Sequence, residues 1–489
     1  MTIAVQVSRS VPAKTGAIGI PVALDGPIPA SVGMSRAALK SIGFEGKREQ
    51  TLVLAAAGRS SAVRILIGVG KLSTVDESSM RLIAAALARA AKKHDSLCTT
   101  LAGIGRMDRK TAAQAVVEGA TLATHRYGDL KNDKDFSAKL KLLTLVTTDA
   151  ASSATKAGVV RGKVIADAVC QARDFANMPP AYLTARMFAD KAVDIAKATG
   201  LTATVYNRDQ LKAMGCGGMI GVNKGSVEPP RMVKLEYTPA GSGAKIVLVG
   251  KGVMYDSGGI SLKPSNESHA IMKMDMSGAA AVLATMSTLK TLKCKTKVTA
   301  YLMCTDNMPS GGALKLGDVL TMRNGKTVEI HNTDAEGRLI LADGLSLAAE
   351  SKPDAIVDIA TLTGAIIVAI GEKVAGVMGN NQSLIEQIKG SAMRTDEPVW
   401  QLPLIDEYKK GLDSVVADMR NITSGGGAGS ITAALFLREF VADVPWAHLD
   451  IAGTMDVRGD EGWHNRGATA FGTRLLVDLV TNFRKPSRK

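Results

Sequence analysis

The sequence predicts an α/β protein of two domains, each a mostly parallel or mixed sheet flanked by helices. Its 489 residues exceed the usual size of a single domain. The composition is 46% hydrophobic with few aromatic residues, which is typical of a globular α/β chain. Short apolar runs alternate with helical patterns, and this order produces parallel strands joined by crossover helices.

Residues 1–157 form the predicted N-terminal domain. "QTLVLAA" and "VRILIGVG" have the short apolar pattern of strands, whereas "SSMRLIAAALARAAKKH" has the polar start and apolar stripe of a helix. This segment carries no sequence cluster of acids, histidines or cysteines. We therefore expect a role in assembly or regulation rather than in catalysis.

Residues 158–180 form a predicted linker helix, "GVVRGKVIADAVCQARDFAN", that stops at "NMPP" because successive prolines cannot continue a helix. The C-terminal domain is predicted over residues 181–489. There "FADKAVDIAKATG" predicts a helix, and "TATVY", "MVKLEY" and "KIVLVG" predict strands. Ligands of open α/β sheets lie beyond the carboxyl ends of the strands, so we expect the chemistry just after these runs.

Targeting signals and cysteine clusters are not apparent in the sequence. No run of 18 apolar residues occurs, and the N-terminus lacks the pattern of a signal peptide, so we expect a cytoplasmic protein without a membrane partner. The five cysteines are scattered without a CxxC pair, which argues against a disulfide framework or a zinc–thiolate cluster. They are expected to be buried apolar residues.

The formal net charge of +14 predicts a positive surface. Such a surface attracts DNA, which we keep as a secondary hypothesis of sequence-tolerant binding. The basic residues occur in separate patches without an RNA-recognition signature, zinc-finger ligands or interleaved aromatics. A solvated basic face is therefore the simpler interpretation.

Four acids and several cations follow the apolar runs of the C-terminal domain. "KGVMYDSGGISLK" contains Lys251, Asp256 and Lys263, and "MKMDMSGAAAV" contains Asp275. "NTDAEGR" places Asp334, Glu336 and Arg338 at alternate positions, on one side if the segment is extended. Carboxylates brought together repel one another unless cations neutralise them, so this set predicts a pair of divalent metals. Two bridged metals can hold a hydroxide between them, and hydrolysis is the chemistry we expect.

These same segments resemble the leucine (cytosol) aminopeptidase family of two-metal exopeptidases. The resemblance rests on "NTDAEGR", "VGKGVMYDSGGISLKP" and "MDMSGAAAV", with "DNMPSGGALKLGDV" and "WAHLDIAG" in support. It runs from about residue 177 to the C-terminus. It implies a metal-dependent aminopeptidase that removes N-terminal residues from peptides, with Leu and other apolar residues preferred.

The resemblance also implies roles for the individual residues of the set. Asp256 and Glu336 would bridge the metals, Lys251 and Asp275 would complete one site, and Asp334 the other. Lys263 would stabilise the oxyanion of the reaction, and Arg338 would hold a bicarbonate that shuttles protons. The metals would be Zn²⁺ and/or Mn²⁺, two per subunit. Between Lys263 and Asp275 the chain carries one residue more than the family spacing, which a loop should absorb.

Substrate contacts and assembly are inferred from the same resemblance. The pocket for the N-terminal side chain would be lined by Met272, Thr361, Gly364, Ala452 and Met455. The family implies a homohexamer with peptide substrates. Neither His269 nor His331 is assigned a role, because we expect a surface position for the first and an outward direction for the second.

Three other kinds of site partly match segments of this sequence. "NGKT" suggests a P-loop, but Leu320 stands where that motif requires glycine, and "VLTMRNGKTVEI" instead predicts a hairpin. "VGKGVMYDSGG" lacks the glycine spacing of a Rossmann cofactor site. A two-metal phosphoesterase stays as the alternative, although such a site normally includes histidines and none lies in the motif core.

Overall fold

The computed structural model describes residues 2–56, 61–133, 136–147, 153–241 and 243–487. The chain divides into two compact units. The first unit is Met1–Cys170 with Val457–Gly467, and the second unit is Gln171–Asp456 with Ala468–Lys489. No helix within the described residues is long and apolar enough to cross a membrane.

A mixed, mostly parallel sheet forms the centre of the first unit. Its strand order is β1-β6-β5-β2-β4-β3, and of these strands β3 alone runs antiparallel to its neighbour. The strand bounds are β1 Ala4–Ser8, β2 Ala17–Ala23, β3 Thr51–Leu54, β4 Val63–Gly70, β5 Ser96–Thr99 and β6 Leu142–Val146.

Three helices of the first unit begin at polar caps and bury an apolar side. Their bounds are α1 Arg36–Ser41, α2 Glu77–Ala90 and α3 Arg109–Thr124. Helix α4, Ser153–Asn177, belongs to the first unit as far as Cys170. Asp76 accepts from the Ser79 amide at the start of α2, and Asp108 caps α3 in the same way. The core between α2, α3 and the sheet contains Ile65, Ile83 and Val116, all fully buried.

Helix α4 corresponds to the predicted linker helix. It begins five residues earlier than predicted and ends at Asn177, where Pro179 and Pro180 prevent its continuation. The sequence-based limits of 1–157, 158–180 and 181–489 stay a prediction. They do not include the packing of Val457–Gly467 with the first unit, since nothing local in that segment indicates its partner.

The second unit is built on a sheet with strand order β15-β14-β17-β13-β9-β10-β8-β7. Its central pairs, β17 with β13, β13 with β9 and β9 with β10, are parallel, while β14 with β17 and the β10-β8-β7 edge are antiparallel. The fold class, two domains with parallel or mixed sheets flanked by helices, is confirmed. The strands are β7 Thr202–Tyr206, β8 Arg231–Tyr237, β9 Lys245–Asp256, β10 Lys297–Asn307, β11 Val319–Thr321, β12 Thr327–Glu329, β13 Ala355–Ala360, β14 Ala375–Gly379, β15 Val399–Gln401, β16 Met419–Arg420, β17 Trp446–Asp450, β18 Asp456–Val457 and β19 Gly467–Ala468.

Helices cover the sheet of the second unit and carry several of the predicted site residues at their first turns. Their bounds are α5 Ala185–Thr199, α6 Arg208–Ala213, α7 Gly217–Asn223, α8 Glu267–Ala270, α9 Ser277–Thr288, α10 Gly337–Glu350, α11 Gly364–Ile370, α12 Gln382–Thr395, α13 Gly429–Arg438 and α14 Thr473–Asn482. Gly278 allows the first turn of α9 to lie against the sheet. A Cβ on this residue would be only 2.1 Å from the Ile359 carbonyl oxygen. This close approach brings the preceding Asp275 to β9.

Strand β9 is longer than the predicted "KIVLVG". It continues to Asp256, which is paired with Asn307 of β10 after a local register shift. Lys251 therefore lies within the strand rather than just after it, as we expected. The reason is tertiary, because parallel pairing with β10 satisfies the backbone of this polar stretch.

The predicted hairpin of "VLTMRNGKTVEI" is confirmed. Strands β11 and β12 pair antiparallel, and Gly325 adopts a positive φ of 88° in the connecting turn. β12 also pairs in parallel with the short β16, and this pairing places Asn421 beside the segment that leads to Asp334.

Candidate metal centre

Three carboxylates meet at the carboxyl end of β9. Asp256, Asp334 and Glu336 each offer an oxygen within 4.8 Å of the others. Asp256 and Glu336 are 2% exposed, and Asp334 is partly exposed. Asp256 is the last residue of β9, whereas the other two precede α10. Within the described residues this is the one group of three potential ligands that the structure brings together.

Lys251 connects this group to Asp275. Its Nζ lies 2.8 Å from Asp275 Oδ1 and 2.9 Å from Glu336 Oε1, and it donates to the Thr361 carbonyl oxygen at 2.8 Å. Burial lowers the pKa of Lys251, but the facing carboxylates of Asp275, Glu336 and Asp256 outweigh it and raise that pKa. Burial raises the pKa of both Asp275 and Glu336.

Two buried carboxylate oxygens are suited to a cation. Asp275 Oδ2 and Glu336 Oε2 have no hydrogen-bond partner within the described residues. A buried acceptor without a donor costs about 1–3 kcal/mol, and more when it is charged. Oxygen donors together with an amine nitrogen also form a ligand set that Mn²⁺ or Zn²⁺ accepts. The residues therefore fit a pair of divalent cations.

Lys263 lies on the more exposed side of the carboxylates. Its Nζ is 2.8 Å from Asp256 Oδ2 and 2.5 Å from Asp334 Oδ1, and its side chain is 19% exposed. Burial lowers the pKa of Lys263, and the two carboxylates raise it above the usual value. The lysine is therefore a charged group at the entrance of the cluster.

The turn between β9 and Lys263 requires glycine. Gly258 and Gly259 have positive φ values of 87° and 65°. A Cβ on Gly258 would lie 2.9 Å from Asp334 Oδ1. The Thr333 hydroxyl donates to the Gly258 carbonyl oxygen at 2.7 Å and thereby joins this turn to the segment of Asp334.

The segment "NTDAEGR" is not extended, so our argument from alternate positions was wrong. Asp334 lies in a turn, and the amide of Asp334 donates to Asn332 Oδ1 at 2.8 Å. Helix α10 begins immediately after Glu336. Arg338 belongs to the first turn of this helix. The acids still converge, because the turn and the helix start both face the end of β9.

Arg338 is buried near the carboxylates but does not pair with them. Its Nη1 donates to the Asn421 carbonyl oxygen at 2.8 Å, and its Nε has no partner within the described residues. Burial lowers the pKa of Arg338 to about 10, against the opposing effect of Glu336 and Asp450. A buried guanidinium with a free donor is suited to a small oxyanion.

Two of the predicted pocket residues, Thr361 and Met272, contact Asp275 of this centre. Thr361 follows β13, and its hydroxyl donates to Asp275 Oδ1 at 2.7 Å. Gly364 is the first residue of α11, and a Cβ there would meet open space. Met272 lies in the short 3-10 helix before Asp275. Ala452 and Met455 follow β17.

Our sequence reasoning missed three buried polar residues. Asn307 donates to Asp256 Oδ1 at 2.8 Å and to the Thr333 carbonyl oxygen at 3.0 Å. Asn421 bonds the segment before Asp334, and Asp450 accepts from Leu362, Thr363 and Ala452. Asn307 and Asp450 are the last residues of β10 and β17, so the rule of strand ends applied to every strand could have found them.

The two histidines near the centre are not in the group of carboxylates. His331 Nε2 lies 3.0 Å from Glu329 Oε1. His269 is half-buried rather than on the open surface, because its ring stacks 5.8 Å from that of Tyr255. The segment between Lys263 and Asp275, where we expect an additional residue, contains the short helix α8.

Family models match most of the chain. Residues 170–477 match the catalytic domain of the cytosol aminopeptidase family, and residues 29–134 match the N-terminal domain of the same family.

Curated relatives and solved structures are similar over nearly the full length. A probable cytosol aminopeptidase of Alkaliphilus oremlandii is 40% identical over 455 residues, which is 91% of each chain. One of Syntrophotalea carbinolica is 41% identical over 446 residues, or 89% of each chain. The bottromycin maturation enzyme BotP in complex with Mn has a TM-score of 0.87 and 35% identity, covering 96% of this chain and 99% of its own.

Proposed function

This chain belongs to the cytosol aminopeptidase family, and from that premise we propose that it removes single residues from the free N-terminus of peptides with two divalent metal ions. It is a metal-dependent hydrolase by family. The proposal adds the number of ions, the residues that hold them and the preference for Leu and other apolar residues.

The observation that carries the proposal is the meeting of Asp256, Asp334 and Glu336 beside Lys251 and Asp275. Asp256 and Glu336 would bridge the two ions. Lys251 and Asp275 would complete the buried site, and Asp334 the more exposed one. When bound, such ions supply the Lewis acidity that activates a water molecule and polarises the scissile carbonyl.

Lys251 would have to change partners for this role. It is paired as an ammonium with Asp275 and Glu336, and only a neutral amine can donate electrons to a metal. Two cations next to it would favour loss of its proton. Its fixed position within β9 keeps the nitrogen at the cluster in either state.

Lys263 and Arg338 would act on the reacting groups without binding metal. The Lys263 ammonium faces the exposed side of the carboxylates and would stabilise negative charge on the substrate oxygen. Arg338, with its free Nε, would hold a small oxyanion such as bicarbonate that moves the proton. Both roles need a fixed cation, which burial and the surrounding contacts provide.

The substrate would be recognised by its amine and by its first side chain. A free α-amino nitrogen is a donor that a divalent cation accepts, which would limit cleavage to the N-terminal residue. Met272, Thr361, Gly364, Ala452 and Met455 would surround an apolar side chain. The open space at Gly364 is consistent with such a contact.

The metals are proposed as Mn²⁺ and/or Zn²⁺. Carboxylate oxygens suit Mn²⁺, while the amine of Lys251 favours Zn²⁺. BotP, a similar structure, was determined in complex with Mn.

The phosphoesterase alternative is not favoured. Family membership points to peptide hydrolysis, and the group of ligands within the described residues contains three carboxylates and no histidine. Phosphate esters therefore serve as negative controls.

The experiment compares leucyl-p-nitroanilide with its N-acetylated form. The enzyme is stripped with a chelator and refilled with Mn²⁺ or Zn²⁺. We expect activity to return with metal and to be confined to the substrate with a free amine. Equal cleavage of both substrates, or cleavage that survives the chelator, would contradict the proposal.

A further inference from the structure

We propose that Asn421 is a positioning residue that holds Arg338 and the turn of Asp334 in a fixed relation. This inference rests on the proposed function, since it assigns Arg338 a part in turnover. Asn421 is fully buried, and within the described residues its side chain forms no hydrogen bond with the carboxylates. Its effect on the reaction would therefore be exerted through its neighbours.

The side chain of Asn421 binds the backbone that leads to Asp334. Its Oδ1 accepts from the amide of His331 at 2.8 Å and from that of Asn332 at 3.3 Å. Its Nδ2 donates to the Asn332 carbonyl oxygen at 2.6 Å. Three hydrogen bonds from one amide group thus fix the two residues that precede the turn.

The main chain of Asn421 forms hydrogen bonds with Glu329 and Arg338, which lie before and after the two residues bound by its side chain. Its amide donates to the Glu329 carbonyl oxygen at 3.0 Å, as an extension of the pairing between β12 and β16. Its carbonyl oxygen accepts from Arg338 Nη1 at 2.8 Å. All four polar groups of Asn421 therefore bind one stretch, residues 329–338, that is distant from Asn421 in the chain.

Arg338 depends on this acceptor because its guanidinium forms one hydrogen bond, that to Asn421, within the described residues. It forms no ion pair with a carboxylate within the described residues, and its Nε is unpartnered. Strand β16, which precedes Asn421, has only two residues. Without the Asn421 side chain, the carbonyl that orients the guanidinium would be held by one short pairing alone.

Two other buried polar groups have structural roles, and one exposed apolar surface has no identified partner. The buried Arg81–Glu118 pair and Asp343, which accepts from the amides of Met219 and Arg323, join structural elements. The exposed apolar residues Met393 and Trp400 form a surface whose occupant nothing in the structure identifies.

The test is a double-mutant cycle of Asn421→Ala and Arg338→Ala. It measures kcat and KM on leucyl-p-nitroanilide, together with metal content and thermal stability. We expect Asn421→Ala to lower kcat about tenfold or more, with KM and metal content nearly unchanged. In the Arg338→Ala background the same change should lower kcat by a clearly smaller factor, because the part of the effect that acts through Arg338 is already lost.

Asn465→Ala is the matched control for loss of a buried asparagine. Asn465 lies in the first unit, where its Nδ2 donates to the carbonyl oxygens of Leu122, Ala123 and His125. We expect this variant to lose stability but to keep kcat. If Asn421→Ala does not fold, the cycle is run with Asn421→Asp, which keeps the acceptor Oδ1, replaces the donor to Asn332 with a carboxylate oxygen and adds a negative charge.

Two results would overturn the inference. One is a wild-type kcat in the Asn421 variant, and the other is an unchanged fold-loss in the Arg338→Ala background, which indicates a general structural effect. Wild-type enzyme without aminopeptidase activity would instead reject the proposed function, so the two failures are distinguishable.

Discussion

Asp256, which we propose as a bridging acid, is held by protein donors on several sides. Its Oδ1 accepts from Asn307 Nδ2 and from the Gly258 amide, and its Oδ2 lies beside Lys263. Glu336, in contrast, keeps one oxygen without a donor in the described residues. The two acids are therefore fixed in direction while leaving electron pairs for cations.

At the scale of single residues, loss of the proposed metal ligand Glu336 and loss of the Arg338 guanidinium should have different effects on metal content and activity. We expect Glu336→Ala to lose bound metal and to lower kcat/KM at least about a thousandfold. Arg338→Ala should lower kcat but retain metal, because Arg338 contacts Asn421 rather than the cluster. Elemental analysis of purified variants, alongside kinetics, makes the comparison. Equal metal content in both variants would contradict the ligand assignment.

Gly337 gives a second prediction for a single residue. A Cβ at this position would lie 2.7 Å from Cε and Nζ of Lys251, which is itself held by three hydrogen bonds or ion pairs. Its backbone has no positive φ, so alanine is compatible with the helix. We expect Gly337→Ala to lower kcat/KM about tenfold or more, with a loss of about 1–3 kcal/mol in the free energy of unfolding because the new methyl group crowds Lys251.

Gly390→Ala is the control for this change. Gly390 lies within α12, where a Cβ would meet only the end of the Arg394 side chain. It should keep full activity and gain about 0.5–1 kcal/mol in the free energy of unfolding. Full activity in Gly337→Ala would show that Lys251 does not need its present position.

At the scale of elements, Asp450 joins the segments that follow two neighbouring strands. From the end of β17 it accepts from the amides of Leu362 and Ala452, at 3.1 and 3.3 Å, and from the Thr363 hydroxyl at 2.7 Å. These segments carry Thr361, Gly364, Ala452 and Met455, the proposed substrate contacts. A single buried carboxylate thus connects both walls of that region.

The expected result of Asp450→Ala follows from this connection. Several buried amides would lose their acceptor, so we expect the free energy of unfolding to fall by about 1–3 kcal/mol. KM for leucyl-p-nitroanilide should rise more than kcat falls, since the ligands of the metals stay in place. Urea unfolding and steady-state kinetics measure the two effects. An unchanged KM would contradict a role of these segments in substrate binding.

The elements also differ in how far the sequence could predict them. β4 and β7 were predicted to the residue, because their apolar patterns are local. The extension of β9 to Asp256 could not be predicted, since it depends on pairing with β10 some 50 residues later. The turn at Asp334 and the start of α10 were not predicted, since Glu336 at the N-cap forms no side-chain capping hydrogen bond and no apolar period precedes Gly337.

The site residues divide in a similar way. Lys251, Asp256, Asp275, Asp334 and Glu336 stand in distinctive motifs, and the structure brings them together. Asn421 carries no local signal of this kind. Its contact with Arg338 spans 83 positions and depends on the pairing of β12 with β16.

For the whole molecule, length, charge and family give different amounts of information. Length and alternation were sufficient to predict two α/β units. The net charge of +14 does not identify a partner, so DNA binding stays a proposal. Assembly into a homohexamer, which the family resemblance implies, stays a proposal as well. The chain matches family models for both an N-terminal and a catalytic domain, which is consistent with chemistry in the second unit.

The number of metal ions per chain tests the central claim most directly. Chelator-stripped enzyme is titrated with Mn²⁺ while bound metal and hydrolysis of leucyl-p-nitroanilide are measured on the same sample. We predict two ions per chain at saturation, with full activity reached only when both are bound. Full activity with a single ion, or with none, would contradict the account.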